Sequence, residues 1–515
     1  MLAINANITA ATNRVFPSVE RRFQPMKVIV RGSPNDVKNP PADSSERGSV
    51  RGRGGGFPNG FRQLSLVSAV AVLSISAATV GFFLLREPLR GSTDHGDFHR
   101  VMTPAGLVPL GDAASDRNSY VHRMYRTRTA HPARASSSGA WIAFVAARVP
   151  GPFVDGPRVD VRRFGLASGL IALGFLVLGL ARGVGASRLL MLVLMLAAPD
   201  VLLSWNGLHP DVAATLGILG VVVGLIEGRP DRSARRLRAS SLVLGALLLA
   251  FSSRAHAFVP LLVGISLIAV DRSHGSRALT IGIGAISVAG VAHFEWGDGP
   301  RFDAINRYHA VYRGLAEVAD DPDAVLREFG LGADTSGLVG RSRFVVELAP
   351  ETERAVARVS RVRLAAAYLV RPIAIARTAR RILRTLADPR PPRDGSFERT
   401  TPATPPRPAG RGVNLRAART SLGVLGVLGV LGGAVGVIAM NRRRDRRELT
   451  RDARFFVFAL LLVVTEPLVV VLGDGTFSLR RHLMLSSMVL DLCAGLLAIA
   501  LVDAVIARRR SSTTS

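Results

Sequence analysis

The chain has 515 residues, a formal charge of +28 at pH 7 and a mean hydropathy of +0.28. That length would suit about three soluble domains, yet the apolar residues clump into runs of about 17–25, enough to cross ~30 Å of hydrocarbon as helix. Most of these runs lack the polar stripe that a soluble core helix carries. The charge does not mark a nucleic-acid binder either, because the arginines lie between apolar runs and aromatics make up only 6% of the chain. Lysine occurs only at Lys27 and Lys38, and the single cysteine, Cys493, excludes an intrachain disulfide.

In chain order, residues 1–60 are polar and rich in Gly, Pro and Arg, which predicts a disordered cytoplasmic tail. The segment lacks the apolar core of a signal peptide, and a start at Met26 is compatible with it. The first predicted span is 65–85. Nine more follow near 164–181, 189–205, 209–227, 240–253, 257–270, 276–294, 420–440, 455–473 and 483–506. The runs 240–253 and 257–270 are short enough to be half-helices. The run at 420–440 repeats glycine every third residue, a pattern suited to close helix packing in lipid.

Charge in the short connections gives an orientation. With the N-terminus cytoplasmic, the cytoplasmic connections are 182–188, 228–239, 271–277, 441–454 and the tail after 506, all rich in arginine. The short connections on the other side, SWNGLHP and SSRAHA, carry one arginine between them. The expected architecture is therefore all-α and transmembrane, with about ten helices and both termini cytoplasmic in the cell membrane. It divides into spans 1–7 over 61–294 with an outer loop at 86–163, a partly helical outer domain at 295–419, and spans 8–10 with a tail over 420–515. Long loops translocate largely regardless of charge, so the arginines in the two outer regions do not oppose this.

The sharpest local motif is Asp94-His95-Gly96-Asp97-Phe98-His99-Arg100, just past the first span. Two carboxylates three apart at a membrane surface suit a general base on a hydroxyl, or oxygen ligands for a divalent cation such as Mg or Mn. Asn206, His209 and Asp211, then Arg254 and His256, fall in the next outer turns, and His293, Glu295 and Asp298 open the second outer region. No HExxH-like spacing fixes a metal site among them. Asp474, Arg480, Arg481 and His482 lie at the outer end of the last hairpin, where arginine forks suit phosphate oxygens. Glu466 and Asp491 are acids inside predicted spans, which a proton-coupled transporter would use and which an arginine partner would neutralise.

The acidic pair after the first span, with many spans and large outer loops, resembles the GT-C superfamily of polytopic membrane glycosyltransferases. The pieces GDFHRVMTPAGL, SWNGLHPD, YHAVYRGLAEVADDPDAVLREFGLG and GDGTFSLRRH are similar to uncharacterised bacterial membrane proteins grouped with those enzymes. The resemblance implies a polyprenyl-phosphate sugar donor, a glycan, lipid or protein acceptor, and transfer with inversion at the outer face. It implies Asp97 as base with Asp94 beside it; the DxxD spacing departs from the closer pairs usual in that superfamily. Arg100, Asn206, His209, Arg480, Arg481 and His482 are the expected substrate-binding groups. A polysaccharide polymerase or ligase, which would depend on outer arginines, and a lipid or sugar transporter are the alternatives.

Overall fold

The computed structural model describes residues 59–87, 89–92, 98–110, 121–129, 137–271, 273–297, 299–388, 394–397, 415–443, 450–477 and 479–512. The expected tail, the Asp94–Asp97 pair, Asp298 and most of the Pro-rich stretch before 415 lie outside them. The described chain is mostly helical.

Among the described residues, four helices are long and apolar enough to cross a membrane: 162–181, 274–297, 452–474 and 484–502. Shorter apolar helices cover 70–82, 186–196, 211–225, 259–270 and 423–439. The run expected as one span at 189–205 is two pieces, α5 (Ala186–Leu196) and α6 (Pro199–Trp205). Pro199 explains the break, since it cannot donate into the preceding turn but is well placed at the start of a new helix. The expected span at 240–253 is the end of α8 (Arg232–Ala250), whose first two turns are arginine-rich.

The bundle is built around α7 (Asp211–Leu225), which is buried along its whole length. Its glycines allow α8 to approach closely: a Cβ on Gly217 would lie 2.9 Å from the Gly245 carbonyl oxygen, and one on Gly245 would lie 2.6 Å from the Val221 nitrogen. α4 (Arg162–Ala181) packs on α1 (Asn59–Leu85) and α7, and α9 (Val259–Val270) on α10 (His274–Gly297). α18 (Thr450–Asp474) and α20 (Met484–Ser512) close the bundle with α17 (Gly423–Arg443). In α17 the glycine repeat packs only in part, because Gly433 abuts Leu497 whereas Gly429, Gly432 and Gly436 meet nothing within 4 Å.

The first loop contains strand as well as helix, which the sequence did not predict. Its strands β2 (Leu107–Pro109), β3 (Met124–Thr127), β4 (Val154–Asp155) and β5 (Arg158–Asp160) form an antiparallel sheet in the order β2-β3-β5-β4. Helices α2 (His99–Ala105) and α3 (Ser138–Arg148) pack together beside it, around Phe98, Val101, Tyr125 and Val159. Burial alone would raise the pKa of the Asp160 carboxyl. Hydrogen bonds from Arg162 and Arg123 outweigh that and hold its carboxyl below the usual range. Strand β1 (Arg90–Ser92) pairs antiparallel with β6 (Asp394–Phe397), joining the first loop to the end of the second.

The second region has its own core. α11 (Gly299–Ala310) runs into a π-helical turn at Val311–Leu315, where Tyr308 and Tyr312 stack at 4.6 Å. Around them pack α12 (Pro322–Glu328), α13 (Pro350–Ala357), α14 (Arg361–Leu369) and α15 (Pro372–Ala387). α16 (Leu415–Ser421) precedes α17, and α19 (Leu479–His482) precedes α20.

Candidate functional site

One end of the bundle collects polar residues from four places in the sequence. The turn between α6 and α7 supplies His209 and the first residue of α7 is Asp211, while the turn between α8 and α9 supplies His256. α18 contributes Glu466, while α19 and the start of α20 contribute Arg481 and Ser486. Asp211 is the hub. Its Oδ2 lies 3.1 Å from His209 Nδ1 and 3.7 Å from Arg481 Nε, and its Oδ1 is 3.9 Å from His256 Nδ1.

His209 Nδ1 is also 3.2 Å from the Asp211 backbone nitrogen. The two contacts ask for opposite tautomers. The backbone donation makes Nδ1 an acceptor in the neutral ring, and protonation of the ring would turn it into a donor to the carboxylate. His256 Nδ1 faces the hydroxyls of Ser253 at 2.9 Å and Ser252 at 3.3 Å. Burial pushes His256 down to about 4 against the pull of Asp211, so its ring is neutral near pH 7. Its Nε2 lies 4.0 Å from Glu466 Oε1. The other Glu466 oxygen accepts from the Ser486 backbone nitrogen at 2.8 Å and from the Ser486 hydroxyl.

These side chains are buried, not solvated at an interface: His209 is 5% exposed, His256 3% and Glu466 1%. Groups that can ionise, packed this deeply and sharing partners, are concentrated at functional sites. Among the described residues no set of three or more His, Cys, Asp or Glu is placed to hold a metal ion.

The expected substrate-binding residues separate into different settings. Asn206 is fully buried and donates both amide hydrogens to backbone, to Leu84 O and Arg90 O, each at 2.9 Å. That ties the end of α1 and strand β1 to the site turn. Arg481 faces Asp211, Arg480 is exposed, and Arg100 is half-buried on the first turn of α2. His482 turns to a second cluster, with Nε2 3.5 Å from Asp474 Oδ2. There His309 Nδ1 meets Asp474 Oδ1 at 2.8 Å, His309 stacks on Phe477 at 4.2 Å, and Arg313 lies over that ring at 5.1 Å.

His309 was not singled out in the sequence. Its signal is structural: it sits just before the π-helical turn, a feature that recurs at functional sites. Arg254 pairs with Glu295 at 2.6 Å, whereas His293 packs edge-on to Phe251 and Phe294. Asp491 is closed by Arg416 at 2.8 Å and Arg419 at 2.7 Å, so the arginine partner expected for an intramembrane acid is present there. For Glu466 the partner is a serine.

The residues that bracket the acidic pair pack on the site turn. A Cβ on Gly207 would lie 3.1 Å from Phe98 Cζ and 3.4 Å from Ser92 Cβ. The Phe98 ring is edge-on to the His209 ring at 6.4 Å.

A bundle of apolar helices long enough to cross a bilayer, with a buried polar cluster at one end, defines a helical membrane protein. Residues 59–515 match the family model described as the YfdI N-terminal transmembrane domain, and the chain belongs to that family. No curated protein and no solved structure matches it.

Proposed function

We propose that this protein is a multi-pass membrane glycosyltransferase that takes a sugar from a polyprenyl-phosphate donor and transfers it to an acceptor hydroxyl at the outer face. The reading rests above all on one observation. Ser92 and Phe98, on either side of the segment that carries Asp94 and Asp97, both pack on the turn that carries His209 and leads into Asp211, with Arg481 beside them. The cluster end is the outer end in this reading, and both termini are cytoplasmic.

Asp97 takes the proton of the acceptor hydroxyl as that oxygen attacks C1 of the sugar. The C1–O bond to phosphate breaks, and polyprenyl phosphate leaves with the bonding electrons. Arg481 meets the growing charge on the leaving oxygen, a form of stabilisation that is commonly a large part of catalysis. Asp211 holds Arg481 and His209 in place, and Asn206 braces the turn from behind. A transporter would need a mobile acid inside the spans; Asp491 is closed by two arginines, whereas Glu466 is held through one oxygen by Ser486.

The test is release of polyprenyl phosphate from a polyprenyl-phosphate sugar by the purified full chain in lipid, with an envelope extract supplied as the source of acceptor hydroxyls and water alone as the control. Asp97→Asn is expected to keep membrane insertion and donor binding and to lose roughly 10²–10⁴-fold in rate, the usual share of a general base. Turnover at the wild-type rate would refute the assignment.

A further inference from the structure

The sequence of α15, PIAIARTARRILRTLA, puts Arg377, Arg380, Arg381 and Arg384 at i, i+3, i+4 and i+7, one stripe of the helix. Ile375, Ala379, Ile382 and Leu386 line the opposite face. A soluble domain would bury that apolar face, and here it is only partly covered. Ile382, Leu383 and Leu386 pack with Val427 and Val430 of α17. Ile375 stays 42% exposed, and at the tip leading into the helix Leu369 and Val370 are 76% and 73% exposed.

Two features say what covers this surface. The first is continuity: the turn into α17, against which α15 packs, exposes Leu422, and α17 itself exposes Leu425, so the apolar tip extends the lipid-facing belt of the bundle. The helix is thereby held at the end of a membrane-embedded element, the same end as Leu479 and Arg481. The second is charge. Arg377 and Arg381 are engaged by Asp320 at 2.8 Å and Glu317 at 3.1 Å, while Arg380 and Arg384 are exposed on the same stripe. A helix with an apolar face, an arginine face and a fixed position at the hydrocarbon boundary has the form of an interfacial helix. Arginine stems can lie along the apolar boundary while the guanidinium forks reach phosphate oxygens.

We propose that α15 and the tip before it lie in the membrane interface. Leu369, Val370 and Ile375 enter the acyl boundary, and Arg380 and Arg384 bind the phosphates of anionic phospholipids. This rests on the membrane fold alone and does not depend on the transferase reading. It gives the second outer region a lipid-bound floor beside the site.

The experiment uses the full chain in vesicles, with Val370→Cys carrying an environment-sensitive fluorophore and Glu351→Cys, an exposed position on α13, as control. Cys493 is buried and contributes little label. The expected result is blue-shifted emission at position 370, quenched by nitroxide on shallow lipid positions and protected from aqueous iodide, with the reverse at 351. Equal iodide quenching at both positions would overturn the proposal. So would protection from both quenchers, because protein rather than lipid would then cover the tip. The double variant Arg380→Gln/Arg384→Gln should lower binding of phosphatidylglycerol relative to phosphatidylcholine, about fivefold for each arginine lost. An unchanged preference would remove the anionic-lipid assignment.

Discussion

The two ends of the bundle handle charge in opposite ways. At the end that holds 182–188, 226–231, 271 and 452–454, charges are closed by short contacts. Arg188 meets Asp452 at 2.9 Å, Arg454 meets Asp271 at 2.9 Å, and Arg182 donates to the carbonyls of Val223 and Ile226. Burial pushes Arg182 down to about 10, which still leaves it charged at neutral pH. At the other end Asp211 is shared among His209, His256 and Arg481, two of them at 3.7 Å or more, and Glu466 Oε1 has no hydrogen-bond donor among the described residues. Short closed pairs hold helices together. A carboxylate shared at longer range between two imidazoles and a guanidinium can exchange partners when a ligand arrives. Partly satisfied atoms occur at both ends, Arg182 Nε and Arg454 Nε among them, so the contrast lies in one buried carboxylate shared by two imidazoles and a guanidinium, and the proposed function puts the working site there.

The most decisive way to break the comparison is to ask which end faces outward, since the outcome is all or none. Glu351→Cys should label with an impermeant thiol reagent in intact cells, and Arg232→Cys only after lysis. Both side chains are exposed. Ser92, near the site, is buried and would be a poor reporter. The opposite pattern would turn the bundle over and remove the outer-face transferase reading with it.

A large but graded effect is expected at Arg481. Arg481→Ala should lower the turnover number by roughly 10²-fold, the usual cost of losing one group that stabilises developing charge. Arg481→Lys should recover little, because an ammonium cannot reproduce the two parallel bonds of the guanidinium fork. The donor dissociation constant should move less than the turnover number, since the loss is concentrated in the transition state. If lysine restored full turnover, the residue would be a headgroup anchor and the contrast between the ends would weaken.

The sequence carried the apolar runs and the arginine-rich connections, because both are local properties of composition. It could not show that His209, His256, Glu466 and Arg481 meet, for they are brought together by the packing of α7, α9, α18 and α20. The strands of the first loop were illegible for another reason: at two to four residues each, they are too short to display a period of two. Asn206 was read as a ligand group from its place in an outer turn, and its full burial against Leu84 O and Arg90 O is set by long-range packing. The break at Pro199 was visible as a proline within an apolar run. The two short helices around it were still read as one span, since hydropathy averages over the interruption.

The smallest effect should come from the closed end, and it tests the comparison from the other side. Asp452 Oδ2 accepts from Arg188 Nε at 3.1 Å and Nη2 at 2.9 Å, and its Oδ1 accepts from the Glu227 backbone nitrogen at 3.2 Å. The pair is about three-quarters to four-fifths buried, with side-chain exposures of 24% and 18%. Asp452→Asn removes the charge but keeps the shape, leaving Arg188 with Glu227 at 3.6 Å as its remaining carboxylate. Breaking a largely but not fully buried pair of this kind should cost about 2 kcal/mol, between the values for exposed and fully buried pairs. That loss should appear as a lower melting temperature in detergent, with turnover per folded molecule unchanged. Asp211→Asn should differ in turnover, with a clear loss per folded molecule whatever its effect on melting, because His209 and Arg481 lose their common anchor. Melting and turnover falling together in both variants would mean that the two ends are equally structural.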